Sequence, residues 1–265
     1  MSAIRRGYVD APHGQVHYRR AGKAGAPALV LLHQTPSTSA MYEPLMHALA
    51  DRFDVIAPDT PGFGLSDPLP SRFSIAAAAA ALGAAVQRLH DGAVNWFGHH
   101  TGAALALQVA HDRPRQVAKL ALSGPCLLDD TLRARLPQMA APVPGAADGA
   151  HLKTVWDRIV AKDAQAPLAI HERETLAGVA AGTAYPEAYA AVVEVDTAAQ
   201  LRALRCPTLV FAGTDDPLYP QLDAAHRLLA QGHKAEIAGA RTFVCERQAA
   251  EVARLLADFF GAARG

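Results

Sequence analysis

The sequence predicts an α/β fold with a mostly parallel, doubly wound sheet and one inserted helical segment. Short apolar segments alternate with longer amphipathic ones through most of the 265 residues. Several short segments, such as Ala28–Leu32, are apolar at every position, which is typical of a parallel strand covered on both faces. Between about residues 127 and 199 only helical patterns remain. We therefore expect residues 1–126 and 200–265 to form the core and 127–199 to form a helical lid.

The first part of the core is expected to contain a hairpin followed by strands and helices in alternation. Alternating segments on either side of Pro12-His13-Gly14 predict the hairpin. Strands are then expected at 28–32, 54–57, 94–97 and 117–122. Helices are expected at 41–50, from 75 to about 90, and from 103 to about 112. Ser74 is the expected N-cap of the second helix.

In the insertion, prolines 137, 142 and 144 and Gly145 are expected to break the chain. Helices are expected further on, near 152–161, 169–180 and 186–195. After the insertion we expect a strand at 208–211, a helix at 219–231, a strand at 234–237 and a helix at 246–260. The resumed alternation predicts that this last part joins the same sheet.

Composition and charge indicate a globular protein with a sizeable core and argue against some classes of partner. The 25 basic and 25 acidic residues cancel, which argues against nucleic acid or an anionic membrane as the main partner. No apolar run approaches the roughly 18 residues of a membrane span. The start of the chain lacks the apolar core of a signal peptide, and three scattered cysteines form no disulfide pattern. We expect a cytoplasmic protein without a metal or cofactor. A homodimer is one possible oligomeric state that the sequence does not decide.

The stretch from Trp96 to Ala104 predicts a strand, a sharp turn and a helix in immediate succession. Gly98 and Gly102 stand two residues before and two after His100. Glycines at these positions let the strand and helix backbones pass closely. Chance or simple close packing gives the same spacing, so the rest of the chain has to support the assignment.

Four stretches, in this order, resemble the motifs of the α/β-hydrolase superfamily. They are the oxyanion loop at 33–36, the glycine loop at 59–66, the nucleophile elbow at 98–102 and the triad-acid loop at 213–216. The resemblance spans about residues 8–260. It implies the fold predicted above and identifies Asp216 as the triad acid.

The sequence departs from this family at two catalytic positions. His100 stands at the elbow apex, where the family usually has Ser, Cys or Asp, and Thr242 stands where the triad histidine would be. A Ser-His-Asp mechanism through these positions is therefore excluded.

His100 is the central catalytic candidate because imidazole suits proton transfer near neutral pH. We expect it to act as a general base or a nucleophile. Thr242 would lie within hydrogen-bond reach of it, either as a nucleophile or as the residue that fixes the imidazole tautomer. Asp216 would orient the site by bonding Thr242 or by meeting His100 through a water.

Backbone amides are expected to bind an oxyanion in this cavity, since they need no particular side chain. The amide of Thr101 begins a helix, and that of Gln34 or Thr35 faces it. Ser123 and Cys126 follow a strand end and are expected near the rim, as loop structure or as displaced nucleophiles.

Two further histidines, His33 and His99, lie next to the candidate residues in the sequence. His99 is expected to be packed and hydrogen-bonded, and His33 to bond neighbouring backbone. A metal site built from His33, His99 and His100 is disfavoured because adjacent histidines on a tight turn splay apart.

The leading hypothesis is a cofactor-free enzyme on a small, mostly apolar substrate with a carbonyl or ester. Hydrolysis and carbon–carbon or carbon–oxygen lysis both fit. The alternative hypothesis is a catalytically inactive protein that binds a small ligand in the same pocket.

Overall fold

The computed structural model describes residues 3–23 and 25–261, and its strands form one eight-stranded sheet. The strands are β1 (Arg5–Ala11), β2 (Gly14–Ala21), β3 (Ala28–Leu32), β4 (Asp54–Pro58), β5 (Val94–His99), β6 (Val117–Ser123), β7 (Thr208–Gly213) and β8 (Gly232–Ile237). Their order across the sheet is β1-β2-β4-β3-β5-β6-β7-β8. β2 pairs antiparallel with β1 and β4, and the other neighbours pair parallel. The mostly parallel sheet and its N-terminal hairpin are confirmed.

Helices connect the strands and cover both faces of the sheet. They are α1 (Glu43–Leu49), α2 (Ile75–Leu89), α3 (Thr101–Asp112), α4 (Asp130–Met139), α5 (Ala150–Lys162), α6 (Leu168–Ala180), α7 (Ala184–Val193), α8 (Thr197–Ala203), α9 (Leu222–Arg227), α10 (Val244–Arg247) and α11 (Ala249–Gly261). In the described part of the chain, no helix combines the length and apolarity needed to cross a membrane.

Two hydrophobic layers lie on opposite faces of the sheet because side chains alternate along each strand. Val30 and Leu32 of β3 pack in the layer that contains α2 and α3. Leu29 and Leu31 pack in the layer that contains α1 and α11. All five residues of β3 are buried, as expected for a strand covered on both faces.

The local signals around α2 act as the sequence predicts. Ser74 is the N-cap, and its Oγ accepts a hydrogen bond of 3.2 Å from the Ala77 amide. The alanine-rich helix then buries one face, including Ala78, Leu82 and Val86, against the sheet layer. High helix propensity and this packing together account for its fifteen residues.

Residues between β6 and β7 form helices α4 to α8, which we call the helical insertion. The expectation that prolines break its first part is wrong for 130–139, where α4 forms with Pro137 inside it. Asp129 caps this helix by accepting from the Leu132 amide at 2.8 Å. Pro137 lies in the last turn, so its missing N–H removes a single bond and the helix survives.

The last part of the chain follows the expected order with shorter helices. A 3₁₀ turn at Tyr219–Gln221 precedes α9, which ends at Arg227 instead of near 231. The expected C-terminal helix is divided, because the backbone at Gln248 leaves helical geometry between α10 and α11.

Candidate active site

His100 lies at the sharp turn between β5 and α3. Its backbone has φ 51° and ψ −115°, and it is the single non-glycine residue with positive φ in the described chain. A Cβ on Gly98 would lie 2.1 Å from the Gly102 carbonyl oxygen, and one on Gly102 would lie 2.0 Å from the Leu32 carbonyl oxygen. Both positions therefore require glycine, and the tight crossing holds His100 in a strained conformation.

The imidazole of His100 bonds directly to Asp216, which follows the end of β7. His100 Nε2 and Asp216 Oδ2 are 2.8 Å apart, and the carboxylate is almost fully buried. The other carboxylate oxygen, Oδ1, accepts from the Leu218 amide at 2.8 Å. The sequence led us to expect that Asp216 would bond Thr242 or meet His100 through a water. The structure shows a direct bond between Asp216 and His100 instead.

The electrostatics of the pair keep Asp216 ionised. Burial alone raises the pKa of this carboxyl, but the charge and hydrogen bond of His100 and the Leu218 amide more than offset it, so the pKa lies below its ordinary value. The carboxylate can then accept the Nε2 proton of His100, which leaves Nδ1 as the basic nitrogen. Nδ1 bonds no other described residue, and the side chain is 17% exposed toward the cavity.

Gly124 allows the imidazole to turn toward Asp216. Its φ is +58°, and a Cβ built on it would lie 2.6 Å from His100 Cδ2 and 2.8 Å from Nε2. The ring therefore lies directly over this glycine. Sequence reasoning did not single out Gly124, although the turn Gly-Pro directly after a strand was a usable signal.

His99 is packed and hydrogen-bonded, as the sequence predicts. Its Nε2 donates to the Thr242 carbonyl at 2.7 Å, and its Nδ1 accepts from the Ser123 hydroxyl at 2.9 Å. Burial, reinforced by the neighbouring His100, lowers the pKa of His99 to about 3. A neutral ring therefore supports His100, with the two ring centroids 4.1 Å apart.

Of the two hydroxyl residues Thr242 and Ser123, Thr242 lines the cavity and Ser123 does not. Thr242 lines the same cavity as His100, but no hydrogen bond joins the two residues. Its main-chain carbonyl is held by His99 instead. Ser123 is fully engaged with His99 and does not line the cavity.

The two amides suited to an oxyanion are those of Thr35 and Thr101, both of which line the cavity with His100. Neither amide donates to another described residue, so both are available to a ligand. Gln34 does not line the cavity, and its carbonyl accepts from His33 Nδ1 at 2.8 Å. Of the two alternatives left open by the sequence, the geometry favours Thr35.

The helical insertion holds the loop that carries Thr35. The Thr35 carbonyl accepts from Lys162 Nζ at 2.9 Å and from the Tyr189 hydroxyl at 3.3 Å. Lys162 ends α5, and Tyr189 lies on α7. Burial raises the pKa of the Tyr189 phenol well above its ordinary value, so the hydroxyl stays protonated and can donate.

The cavity above His100 is about 190 Å³ in volume and is walled largely by the helical insertion. Its apolar walls come from Leu128, Leu132, Leu136, Met139, Val192 and Leu218. Its polar residues from the insertion are Arg158, Lys162, Tyr185 and Tyr189, none of which we identified from the sequence. The spacing of four residues within each pair predicts only that its two side chains share one face of a helix, and it does not predict that this face lines the cavity.

Cys126 also lines the cavity. Its thiol donates to the His100 carbonyl oxygen at 3.3 Å. Burial raises the pKa of the thiol to about 12, which opposes formation of the thiolate that a cysteine nucleophile needs. The structure therefore favours the loop-structure interpretation of this residue over a displaced nucleophile.

Among the described residues, no three histidine, cysteine or acidic side chains are grouped so that they could hold a metal ion. Both ring nitrogens of His33 are already engaged in hydrogen bonds. Its Nε2 accepts from the Thr60 amide at 2.9 Å while its Nδ1 donates to the Gln34 carbonyl.

The fold and the elbow together define a member of the α/β-hydrolase class. A family model described as alpha/beta hydrolase fold matches residues 27–236, which is most of the chain. The protein therefore belongs to the α/β-hydrolase fold family.

Individual relatives cover smaller parts of the chain. Lipase LipV of Mycobacterium tuberculosis is 33% identical over 120 residues, which are 45% of this chain and 45% of the relative. Haloalkane dehalogenase 2 of the same species is 32% identical over 116 residues, 43% of this chain and 40% of the relative. The matches thus span less than half the length of these curated relatives.

Solved structures match over nearly the whole chain. The enol-lactonase from Burkholderia xenovorans LB400 superposes with a TM-score of 0.84 at 18% identity, covering 97% of this chain and 100% of that one. At this identity the likeness shows a shared fold.

Proposed function

We propose that the protein is a cofactor-free hydrolase or lyase for a small, mostly apolar substrate with an ester or other carbonyl group. His100 is its catalytic base, and Asp216 orients that base. The helical insertion acts as the lid of the site. The observation that carries the proposal is the 2.8 Å bond from His100 Nε2 to a buried, ionised Asp216.

This bond determines which ring nitrogen reacts. An ionised carboxylate on Nε2 holds the proton there and leaves Nδ1 with the lone pair that can accept a proton. Nδ1 is flanked by the ring carbon that bears the side chain, so a bulky acyl carbon approaches it less easily than a proton does. We therefore favour a general base over a nucleophile for His100.

For an ester, the reaction would proceed without an acyl-enzyme. His100 Nδ1 removes a proton from water as the water oxygen attacks the carbonyl carbon. The negative charge that develops on the carbonyl oxygen is stabilised by the Thr35 and Thr101 amides. When the tetrahedral intermediate collapses, the imidazolium returns the proton to the leaving alkoxide. Removal of a substrate proton by the same nitrogen would start a lyase reaction.

The names of the similar proteins support a carbonyl or ester substrate. A lipase is among the curated relatives, and an enol-lactonase is among the structures with the same fold. In the present chain the apolar cavity walls and the small volume favour a compact, mostly apolar substrate.

A catalytically inactive binding protein is the second candidate. The observation that favours it is the apex itself, where an imidazole occupies the place of a short nucleophile. Such a protein would use the cavity and the amides of Thr35 and Thr101 to bind a carbonyl ligand without turning it over.

Hydrolysis of p-nitrophenyl acetate and butyrate distinguishes the two candidates. His100→Ala should lower kcat/KM by about 100-fold or more, in line with the loss of a positioned general base. Asp216→Asn should also lower it, because the asparagine amide favours the wrong imidazole tautomer.

Exposed histidines also hydrolyse activated esters weakly, so a surface control is needed. His111→Ala removes an exposed imidazole at the end of α3 and should leave the rate unchanged. Equal rates for the wild type, His100→Ala and His111→Ala would reject the enzyme and leave the binding protein.

A further inference from the structure

Two cationic side chains of the helical insertion enter the cavity from one face of α5. Arg158 and Lys162 are four residues apart, and both are half-buried where they line the cavity. They belong to the helical insertion, whereas His100 and Thr101 directly follow β5 of the sheet.

In the described part of the chain, no carboxylate balances either charge. No described acidic side chain lies within ion-pair distance of Arg158 or Lys162, and no acidic residue is among those that line the cavity. Arg158 donates to the Ala141 carbonyl at 2.7 Å, and Lys162 donates to the Thr35 carbonyl. Each group keeps further N–H donors for a ligand, since a guanidinium has five and an ammonium has three.

Partly buried, unbalanced cations are costly to the protein unless a bound anion compensates them. Asp216 cannot do so, because His100 and the Leu218 amide already occupy its oxygens. The phenols of Tyr185 and Tyr189 cannot do so either, because burial raises the pKa of both. Among the described residues no group therefore supplies the compensating charge, and an anionic ligand in the cavity would supply it.

The remaining walls limit what this ligand can be. Five apolar side chains from α4, α7 and the chain before α4 face the same space. A ligand that satisfies both walls has an apolar body and one compact anionic group. The planar fork of a guanidinium matches a carboxylate in particular.

We propose that the substrate is a small apolar compound with a free carboxylate, which binds Arg158 and Lys162 while a separate ester or other carbonyl faces His100. The identity of the reacting group rests on the proposed function, whereas the carboxylate subsite stands on the two cations alone.

The kinetic test compares two p-nitrophenyl esters with the same chain. One is the mono-p-nitrophenyl ester of adipic acid, and the other is p-nitrophenyl methyl adipate, which lacks the charge. The wild type should prefer the free acid in kcat/KM by about tenfold or more, the range for a hydrogen bond to a charged group. Arg158→Gln should lower this preference several-fold, because only Lys162 then faces the carboxylate, and Arg158→Lys should keep more of it.

Lys153→Gln is the matched control. Lys153 lies on the same helix but is exposed and pairs with Asp157. This variant should retain the full preference for the free acid. A preference that is undiminished in Arg158→Gln, or one that Lys153→Gln lowers equally, would overturn the proposal.

A binding test separates this inference from the proposed catalysis. Calorimetry should show that hexanoate binds His100→Ala and that hexanamide binds at least tenfold more weakly. Hexanoate binding that depends on Arg158, in a protein without ester hydrolysis, would support the subsite and reject the enzyme. Ester hydrolysis without preference for the free acid, together with no hexanoate binding, would reject the subsite and keep the enzyme.

Discussion

At the scale of single residues, the site depends on the missing side chain of Gly124. Gly124→Ala would place a Cβ 2.6 Å from His100 Cδ2 at a backbone φ of +58°. The imidazole ring and the new Cβ would overlap, so the imidazole should rotate away from Asp216. We expect kcat/KM for the proposed ester hydrolysis to fall by roughly 100-fold, the effect of misplacing a catalytic group by about 1 Å.

Gly92→Ala is the matched control for this change. Gly92 also has a positive φ, +85°, but a Cβ there would meet no atom of a described residue within 4 Å. Both variants should lose roughly 1–2 kcal/mol of stability from the left-handed backbone. An equal loss of activity in the two variants would show that backbone strain, and not the crowded imidazole, is responsible.

His99 should make the protein sensitive to acid. Its pKa is about 3 in the folded protein and about 6.5 in an unfolded chain. Between pH 6.5 and pH 3, His99 binds a proton in the unfolded state but not in the folded state, so protonation favours unfolding. The contribution of the neutral His99 to the free energy of unfolding is therefore complete above pH 6.5 and is lost as the pH falls toward 3. The slope approaches about 1.4 kcal/mol per pH unit.

Urea unfolding between pH 7 and pH 4 tests this assignment through His99→Gln. Glutamine retains an N–H donor for the Thr242 carbonyl but does not titrate. The variant should be less stable at pH 7, and its deficit should shrink as the pH falls. A deficit that is constant with pH, as expected for the exposed His111→Gln, would contradict a neutral buried His99.

At the scale of elements, a buried ion pair joins the helical insertion to the core. Asp163, just after α5, is fully buried and pairs with Arg247 of α10. Arg247→Met would leave this carboxylate with the Gln165 amide as its one donor among the described residues. We expect a loss of roughly 3 kcal/mol in the free energy of unfolding, the cost of an uncompensated buried charge.

An exposed ion pair between the same two parts of the molecule provides the comparison. Arg72 and Glu194 pair at 3.2 Å, but more than half of each side chain is exposed. Arg72→Met should therefore cost at most about 1 kcal/mol. Similar losses for the two arginine variants in urea unfolding would mean that burial does not set the strength of the Asp163 pair.

Element positions were predictable wherever one periodicity dominated the sequence. β3 and α2 follow directly from a continuous apolar run and from a capped, alanine-rich segment. α4 was missed because Pro137 was taken to break the chain, whereas its position in the last turn costs one bond. The end of α9 and the division at Gln248 depend on packing that local patterns do not report.

The site was predictable only as far as it depends on local sequence. The glycines around His100 fix the elbow, and the loop after β7 fixes Asp216, so both positions could be read from spacing. The direct bond between them depends on Gly124, contributed by a third loop. Arg158 reaches the cavity only because the insertion folds back over the sheet, and no local pattern encodes that packing.

At the scale of the whole molecule, the fold should still accept a triad. His100→Ser alone should be a poor esterase, because Thr242 cannot serve as the base that a serine needs. Adding Thr242→His should raise hydrolysis of p-nitrophenyl butyrate by at least about tenfold, the low end for a general base. The bond from His99 to the carbonyl of residue 242 is a main-chain contact and should survive the substitution.

A fluorophosphonate probe adds a second readout. It should label the double variant at position 100 and leave the wild-type elbow unlabelled. No gain of the double variant over His100→Ser would mean that Asp216 is not directed toward position 242. Wild-type labelling at Ser123 would show that a displaced serine reacts.

The placement of the His100–Asp216 pair bears on how the molecule tolerates fluctuation. His100 and Asp216 follow β5 and β7, which are interior strands of the sheet. The loop that usually bears a triad histidine follows β8, which is an edge strand with several exposed residues. Sheet margins fray first, in openings that hydrogen exchange detects. Because the bond between His100 and Asp216 joins loops that follow interior strands, fraying of β8 should disturb it less than it would disturb a histidine placed after β8.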